Sequence, residues 1–371
     1  MIGILWEREY FDSHDISVND EIISFGYNSG NLAFVRGVET ILRKEDVVRI
    51  PWHEADANVS DKVNVLILPA ANQLGEHSNL APLIDSWARI DIPILVFGLG
   101  IQSNVGQTPN LSDSTKAWLN ILIDNNRKFN LKIIARGLNS RDFINEFAGF
   151  DISVAGGCPS QFISPPTHIL DGISRRINSL SSVVVNASDP SWLHLQHLER
   201  ASINEINLHG GCYIVQAPEK LYEISRMPYA FDDQSFADNL REFIGVENLS
   251  QWIYSYARAY HDISSWINYV AGFDYSIGTR IHGAMISIAA GLPALLIVSD
   301  TRTVELSKMM NIPHSSYHCE SNPLLHFKEK IRSHDWMSMV RTWSNNSQIF
   351  GEVLSSAKIN PSDQFKVWLN Y

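Results

Sequence analysis

Ser276 to Asp300 reads SIGTRIHGAMISIAAGLPALLIVSD. Two short apolar runs, Tyr275 to Ile277 and Ala294 to Val298, flank a helical stretch from His282 that stops at Gly291-Leu292-Pro293. Strand, helix and strand with a Gly-Pro stop between them form the repeating unit of a parallel sheet. Arg280 and His282 fall at the turn from the first strand into the helix, while Ala284, Ser287, Ala289, Ala290 and Gly291 keep that helix thin. A thin helix brings its N-terminal N–H groups close to a neighbouring strand and to a ligand beyond it.

The same rhythm extends in both directions. Apolar runs at Ile2 to Trp6, Asp46 to Ile50, Val63 to Leu68, Ile92 to Phe97, Leu131 to Ala135 and Ile152 to Ala155 predict strands. Helical periodicity lies between them, at Asn31 to Arg43, Leu80 to Ile90, Ser114 to Asn126 and Ser140 to Phe147. After Pro165-Pro166 and the basic, serine-rich SRRINSLSS the alternation restarts, with strands at Ser182 to Asn186 and Cys212 to Gln216 ahead of the opening stretch. Near-continuous apolar strands imply sheets covered on both faces. The expected fold is α/β: two Rossmann-like doubly wound domains, residues 1–172 and 173–327, facing a central cleft. Residues 328–371, with Trp336, Trp343, Phe350 and Trp368, are expected to form a helical segment packing back across them.

Composition narrows the function. A chain of 371 residues with 45% hydrophobic content buries a sizeable core, and a net charge of -11 disfavours nucleic acid and anionic lipid as partners. Cys158, Cys212 and Cys319 are far apart and odd in number, no signal-like N-terminus precedes them, and no apolar run is long enough to span a bilayer. The expectation is a cytoplasmic protein without an integral membrane segment; peripheral attachment is left open. No metal-ligand cluster stands out.

Function in such a fold gathers at strand-to-helix turns, which crossover helices leave uncovered. In GYNSGNLAF, Asn28, Gly30 and Asn31 precede a helix whose free N–H groups can hold an anion, although a tight turn with an Asn cap fits the same letters. In IPILVFGLGIQ, Gly98 and Gly100 permit close approach of a ligand or of another backbone, and a bend at the sheet edge explains them equally. IIARGLNSRDF puts Arg136 at the end of an apolar strand, placed either to grip phosphate or carboxylate or to close the sheet end as an ion pair. Cys158 in AGGCPSQF sits on a sharp turn like a nucleophile, but nothing nearby supplies a base, so it reads as a buried thiol. SDTRTVEL adds Asp300, Arg302 and Glu305 on the rim shared with Arg280 and His282.

GTRIHGAMISIAAGLPALLI resembles the G-x-R-x-H signature of the polysaccharide pyruvyl transferase family, and NSGNLAF, FGLGIQ, IIARGLNS and GCPS follow the family's order from about Asn28 to Leu306. The resemblance implies a GT-B-like fold and transfer of the three-carbon unit of phosphoenolpyruvate onto two hydroxyls of a sugar, forming a pyruvate ketal on a surface or cell-wall glycan precursor. It implies no cofactor beyond that donor substrate, and it leaves open whether a lipid or a nucleotide carries the acceptor. It casts Arg136, Arg280 and His282 as the functional Arg, Arg and His; Gly283 and Arg302 join the substrate-binding candidates. One departure is Gly137, where the family carries an acidic residue. Two rivals stand beside this reading: a sugar-nucleotide glycosyltransferase of the same build, with Glu305 gripping ribose, and a silent sugar-binding homologue. Trp192, Tyr222, Tyr229 and Phe231 either stack on a sugar ring or pack in the core.

Overall fold

The computed structural model describes residues 1–7, 17–103, 107, 109–316 and 323–371, so Cys319 lies outside the described residues. Two six-stranded parallel sheets organise the chain. The first is built from β1 (Ile2–Leu5), β2 (Val47–Ile50), β3 (Val65–Pro69), β4 (Ile94–Leu99), β5 (Ile133–Ala135) and β6 (Ser153–Ala155), in the order β2-β1-β3-β4-β5-β6. The second contains β7 (Val183–Asn186), β8 (Gly211–Val215), β9 (Ala257–Ala259), β10 (Tyr275–Gly278), β11 (Ala294–Val298) and β12 (His314–Ser316), in the order β12-β11-β10-β7-β8-β9. Each is a Rossmann-like layer, so the expected class, two doubly wound α/β domains with a cleft between them, is the observed one. Every residue of β3, β4, β7, β10 and β11 is buried, as strands covered on both faces require.

Helices α1 (Val18–Ser24), α2 (Asn31–Ile41), α3 (Ile84–Trp87), α4 (Asp113–Lys128), α5 (Leu138–Ala148) and α6 (Pro166–Arg176) belong to the first half of the chain. The second half adds α7 (Gln196–His209), α8 (Glu219–Arg226), α9 (Gln234–Ile244), α10 (Leu249–Tyr256), α11 (Ile263–Val270), α12 (Ile281–Ala289) and α13 (Thr301–Met309). Three more, α14 (Pro323–Ser333), α15 (Trp336–Ser356) and α16 (Asp363–Leu369), close the chain.

The starts of these helices follow from local chemistry. Ser112 caps α4 through Thr115 N–H, and Asp300 and Thr303 form a reciprocal capping box on α13. Several helices lack a side-chain cap from their own N-cap residue, among them α5 behind Gly137 and α12 behind Arg280.

Some elements differ from expectation. β9 and β12 are three residues each at sheet edges, without an apolar run, and only their pairing with β8 and β11 makes them strands. The basic stretch after Pro165-Pro166 begins inside α6, which packs on α12; a Cβ on Gly172 would lie 2.5 Å from Gly291 Cα. Arg176 Nε and Nη2 also tie α6 to the turn after α11 by donating to Phe273 O at 2.9 Å and Ala271 O at 2.7 Å.

Helices α15 and α16 return to the first half. Ser362 N donates to Ile41 O at 2.9 Å, and Trp368 Nε1 to Ser164 O at 3.2 Å. Around Phe162, the rings of Phe350, Phe365 and Trp368 stand edge-on at 5.2, 5.0 and 5.8 Å, all fully buried. Among the described residues, no helix is long and apolar enough to cross a membrane.

Candidate active site

Arg136 sits one residue past β5, its own N–H still donating to Leu99 O at 2.9 Å. Its side chain is 1% exposed and runs over the end of β4, where Nε donates to Gly98 O at 2.8 Å and Nη2 to Ala70 O at 3.4 Å. Gly98 and Gly100, nominated for ligand approach, instead make this seat. Gly98 has φ +83° beside the register shift in β4, and a Cβ on Gly100 would lie 2.7 Å from Arg136 Cδ. Burial draws the guanidinium down to about 10, against the raising influence of Cys158, Glu305 and Asp300, so it stays charged at neutral pH. Among the described residues no carboxylate lies within ion-pair distance of it, and Nη1 has no protein partner.

Arg280 approaches from the other domain. It occupies the N-cap of α12, with Nε donating to Ala187 O at 3.3 Å and Nη2 to Ala217 O at 3.1 Å. Asp189 lies 4.0 Å away and the ring of Trp192 5.3 Å from the guanidinium carbon. Trp192 is thus engaged with Arg280. Of the other proposed sugar stackers, Tyr222 is buried and donates to Glu21 Oε2, and Phe231 packs on Phe236, while Tyr229 is exposed.

His282 lies two residues on, in the first turn of α12, and is 7% exposed. Phe34 joins it to Arg136: the ring meets the imidazole edge-on at 5.3 Å and the Arg136 guanidinium at 5.9 Å. Burial first, then the charges of Arg136 and Arg302, hold His282 well below the ordinary histidine range, so it is neutral at pH 7. Its Nε2 stands 3.7 Å from Cys158 Sγ. That contact corrects the reading of Cys158 as a thiol with no base near it; the base arrives from 124 residues away.

Arg302 completes the cationic wall. Nη2 pairs with Asp300 at 3.1 Å, Nε is buried without a partner, and its charge is felt at Arg136, Arg280 and His282. Below the wall, the turn before α2 meets the second domain. Asn28 Oδ1 accepts from Gly30 N at 3.0 Å, Ser29 N donates to Gln216 O at 3.2 Å, and a Cβ on Gly30 would lie 3.2 Å from His282 Cβ. Asn31, nominated as an anion holder, spends its amide on Phe25 O and Gly26 O and ties down the loop.

Gly283 packs so tightly that a Cβ would meet Asn186 Oδ1 at 1.9 Å and Gln216 Nε2 at 2.6 Å. Those two atoms and Ser29 Oγ are buried without hydrogen-bond partners, beside the uncapped end of α12. Buried polar atoms without partners are rare and mark places where a ligand or water completes the bonding.

Sequence reasoning did not find the role of Glu305. Its carboxylate accepts from Ser140 N and Ser140 Oγ, each at 2.7 Å, and so caps α5 from the opposite domain. A Cβ on Gly137 would lie 2.3 Å from Glu305 Cγ. The Glu305 side chain therefore occupies the space beside Gly137. The uncapped start GLNS was the one signal of a cap from elsewhere.

The fold and this cleft define a two-domain α/β protein with a cationic, histidine-bearing site at the carboxyl ends of its strands. The polysaccharide pyruvyl transferase sequence profile matches residues 28–301, and the chain belongs to that family. Among curated proteins, no relative matches the sequence. Solved structures with a similar course include UDP-N-acetylglucosamine 2-epimerase from Rickettsia bellii, at 10% identity, 96% of this chain, 95% of that one and a TM-score of 0.47. The Anabaena protein HepE, in complex with UDP and glucose, aligns at 10% identity over 96% of this chain and all of its own, with a TM-score of 0.46. UDP-GlcNAc 2-epimerase from Neisseria meningitidis, bound to UDP-GlcNAc, aligns at 10% identity over 93% and 83%, with a TM-score of 0.44.

Proposed function

We propose that this family member transfers the pyruvyl unit of phosphoenolpyruvate to a pair of hydroxyls on a saccharide, forming a cyclic ketal. The observation that carries the reading is that Arg136 and Arg302 act together on a neutral, buried His282, with Arg280 at the N-cap of the same helix. Phosphoenolpyruvate carries a carboxylate and a phosphate close together, and fixed guanidiniums hold both through paired hydrogen bonds. The uncapped first turn of α12 adds N–H donors for phosphate oxygens. His282 moves the proton: the methylene carbon gains one, a sugar hydroxyl attacks the resulting cationic carbon, phosphate leaves, and the second hydroxyl closes the ring.

Glu305 weighs against the nucleotide-sugar alternative. The carboxylate that such an enzyme would need for ribose is occupied by Ser140 and buried. The test is phosphate release from phosphoenolpyruvate across a panel of free, lipid-linked and nucleotide-linked saccharides. Release only with an acceptor supports the transfer. Release independent of acceptor, or thermal stabilisation by nucleotide-sugars but not by phosphoenolpyruvate, contradicts it.

A further inference from the structure

A neutral histidine beside two arginines is poorly suited to carry a proton in its charged form, so the donated proton needs another store. The contacts of His282 identify one. Its Nε2 faces Cys158 Sγ at 3.7 Å, within reach of a sulfur hydrogen bond, and among the described residues no other hydrogen bond reaches the ring. Nδ1 has no hydrogen-bond partner among the described residues and is not fully buried, so it is the nitrogen left for a ligand. Ser160 Oγ donates to Cys158 Sγ at 3.1 Å, so the sulfur already accepts there and its own S–H is free to turn toward Nε2. Both side chains of the pair are buried and shielded from competing water.

We propose that Cys158 holds the reaction's proton and fixes His282 as the tautomer with hydrogen on Nδ1. In neutral imidazole one nitrogen donates and the other accepts, so an S–H bond into Nε2 places the hydrogen on Nδ1, where a ligand would meet it. In the forward step the Nδ1–H bond breaks as the new C–H bond forms at the methylene carbon. The S–H bond breaks as Nε2–H forms, leaving His282 neutral and Cys158 a thiolate beside the Ser160 hydroxyl and the Arg136 charge. When the sugar hydroxyl adds to the cationic carbon, its proton passes to Nδ1 and the Nε2 proton returns to sulfur. As the second hydroxyl closes the ring, the bond from carbon to the phosphate oxygen breaks and that hydroxyl's proton leaves with phosphate; protons balance, no redox step occurs, and the imidazole never becomes a cation between Arg136 and Arg302.

The forward step rests on the pyruvyl-transfer reading; the tautomer does not. Two measurements separate them. In protein labelled with nitrogen-15, long-range proton–nitrogen correlation reads which nitrogen of His282 carries hydrogen. The expected state is Nδ1–H in the wild type and in Cys158→Ser, whose hydroxyl still donates to Nε2, and a shift toward Nε2–H in Cys158→Ala. An Nε2–H wild type overturns the proposal without any variant having to fold.

Acceptor-dependent phosphate release is the second readout. A serine hydroxyl is a far weaker acid than a thiol, so both variants are expected to lose about 100-fold or more in kcat with phosphoenolpyruvate affinity within about twofold of wild type. Cys158→Ser turning over at the wild-type rate overturns the proton-holding role. The expected tautomers in a wild type that releases no phosphate overturn the pyruvyl reading while supporting the Cys158–His282 pair.

Discussion

Glu305, on α13, accepts both hydrogen bonds that Ser140, on α5, can offer, through Ser140 N and Oγ at 2.7 Å each. One carboxylate thereby ends a helix of the other domain and fills the space above Gly137. Arg136, the residue just before that glycine, feels its charge. Thr301 Oγ1 adds a second tie by donating to Ser103 O at 2.7 Å. The cleft is therefore set by specific polar contacts on the same rim as its arginines.

Glu305→Ala leaves the N–H and O–H of Ser140, at the start of α5, without their acceptor. It should destabilise the protein by about 2–3 kcal/mol in denaturant unfolding, the range for losing a buried hydrogen bond to a charged group. Gly137→Ala crowds Glu305 and should also destabilise, but less in the Glu305→Ala background. The two changes should be coupled by about 0.5–3 kcal/mol, as for residues in contact.

Arg280→Lys keeps the charge and loses the planar fork. Phosphoenolpyruvate binding, read by calorimetry, is expected to weaken about 10- to 100-fold, corresponding to one or two charge-assisted hydrogen bonds.

Protonation of His282 is opposed in the folded state by burial and by Arg136 and Arg302. Below the ordinary histidine value of 6.5 the unfolded chain takes up this proton while the folded protein does not, so stability falls as pH falls. His77 and His334, also lowered, act in the same direction. His282→Asn should remove up to about 1.4 kcal/mol of loss per pH unit below 6.5, read from unfolding midpoints between neutral and mildly acid pH.

Phe162 stands at the centre of the ring cluster that fixes the C-terminal helices. Phe162→Ala should cost about 3–5 kcal/mol and release α16 first, visible as faster amide exchange there than in β4.

Much of this site was legible because strands covered on both faces announce themselves. The apolar runs ending at Ala135 and Ile277 place Arg136 and Arg280 at carboxyl ends of strands. Short polar edge strands such as His314–Ser316 carry no such signal. Nor do contacts between distant residues: Cys158 meets His282 across 124 residues, and Ser140 meets Glu305 across 165. Gly98 and Gly100 show a further limit. Their freedom is visible in the letters, but that it serves the Arg136 side chain rather than a ligand depends on which neighbour fills the space.

The central claim is tested most directly by following the pyruvyl carbon itself. Phosphoenolpyruvate labelled with carbon-13 at C2 is incubated with the protein and a panel of saccharide acceptors, and the products are read by carbon NMR. The expected result is a labelled quaternary ketal carbon on a saccharide, formed by the wild type and lost in His282→Asn although that variant still binds phosphoenolpyruvate. Label remaining in phosphoenolpyruvate or appearing only as free pyruvate across the panel, or ketal formed at the wild-type rate by His282→Asn, would contradict the account.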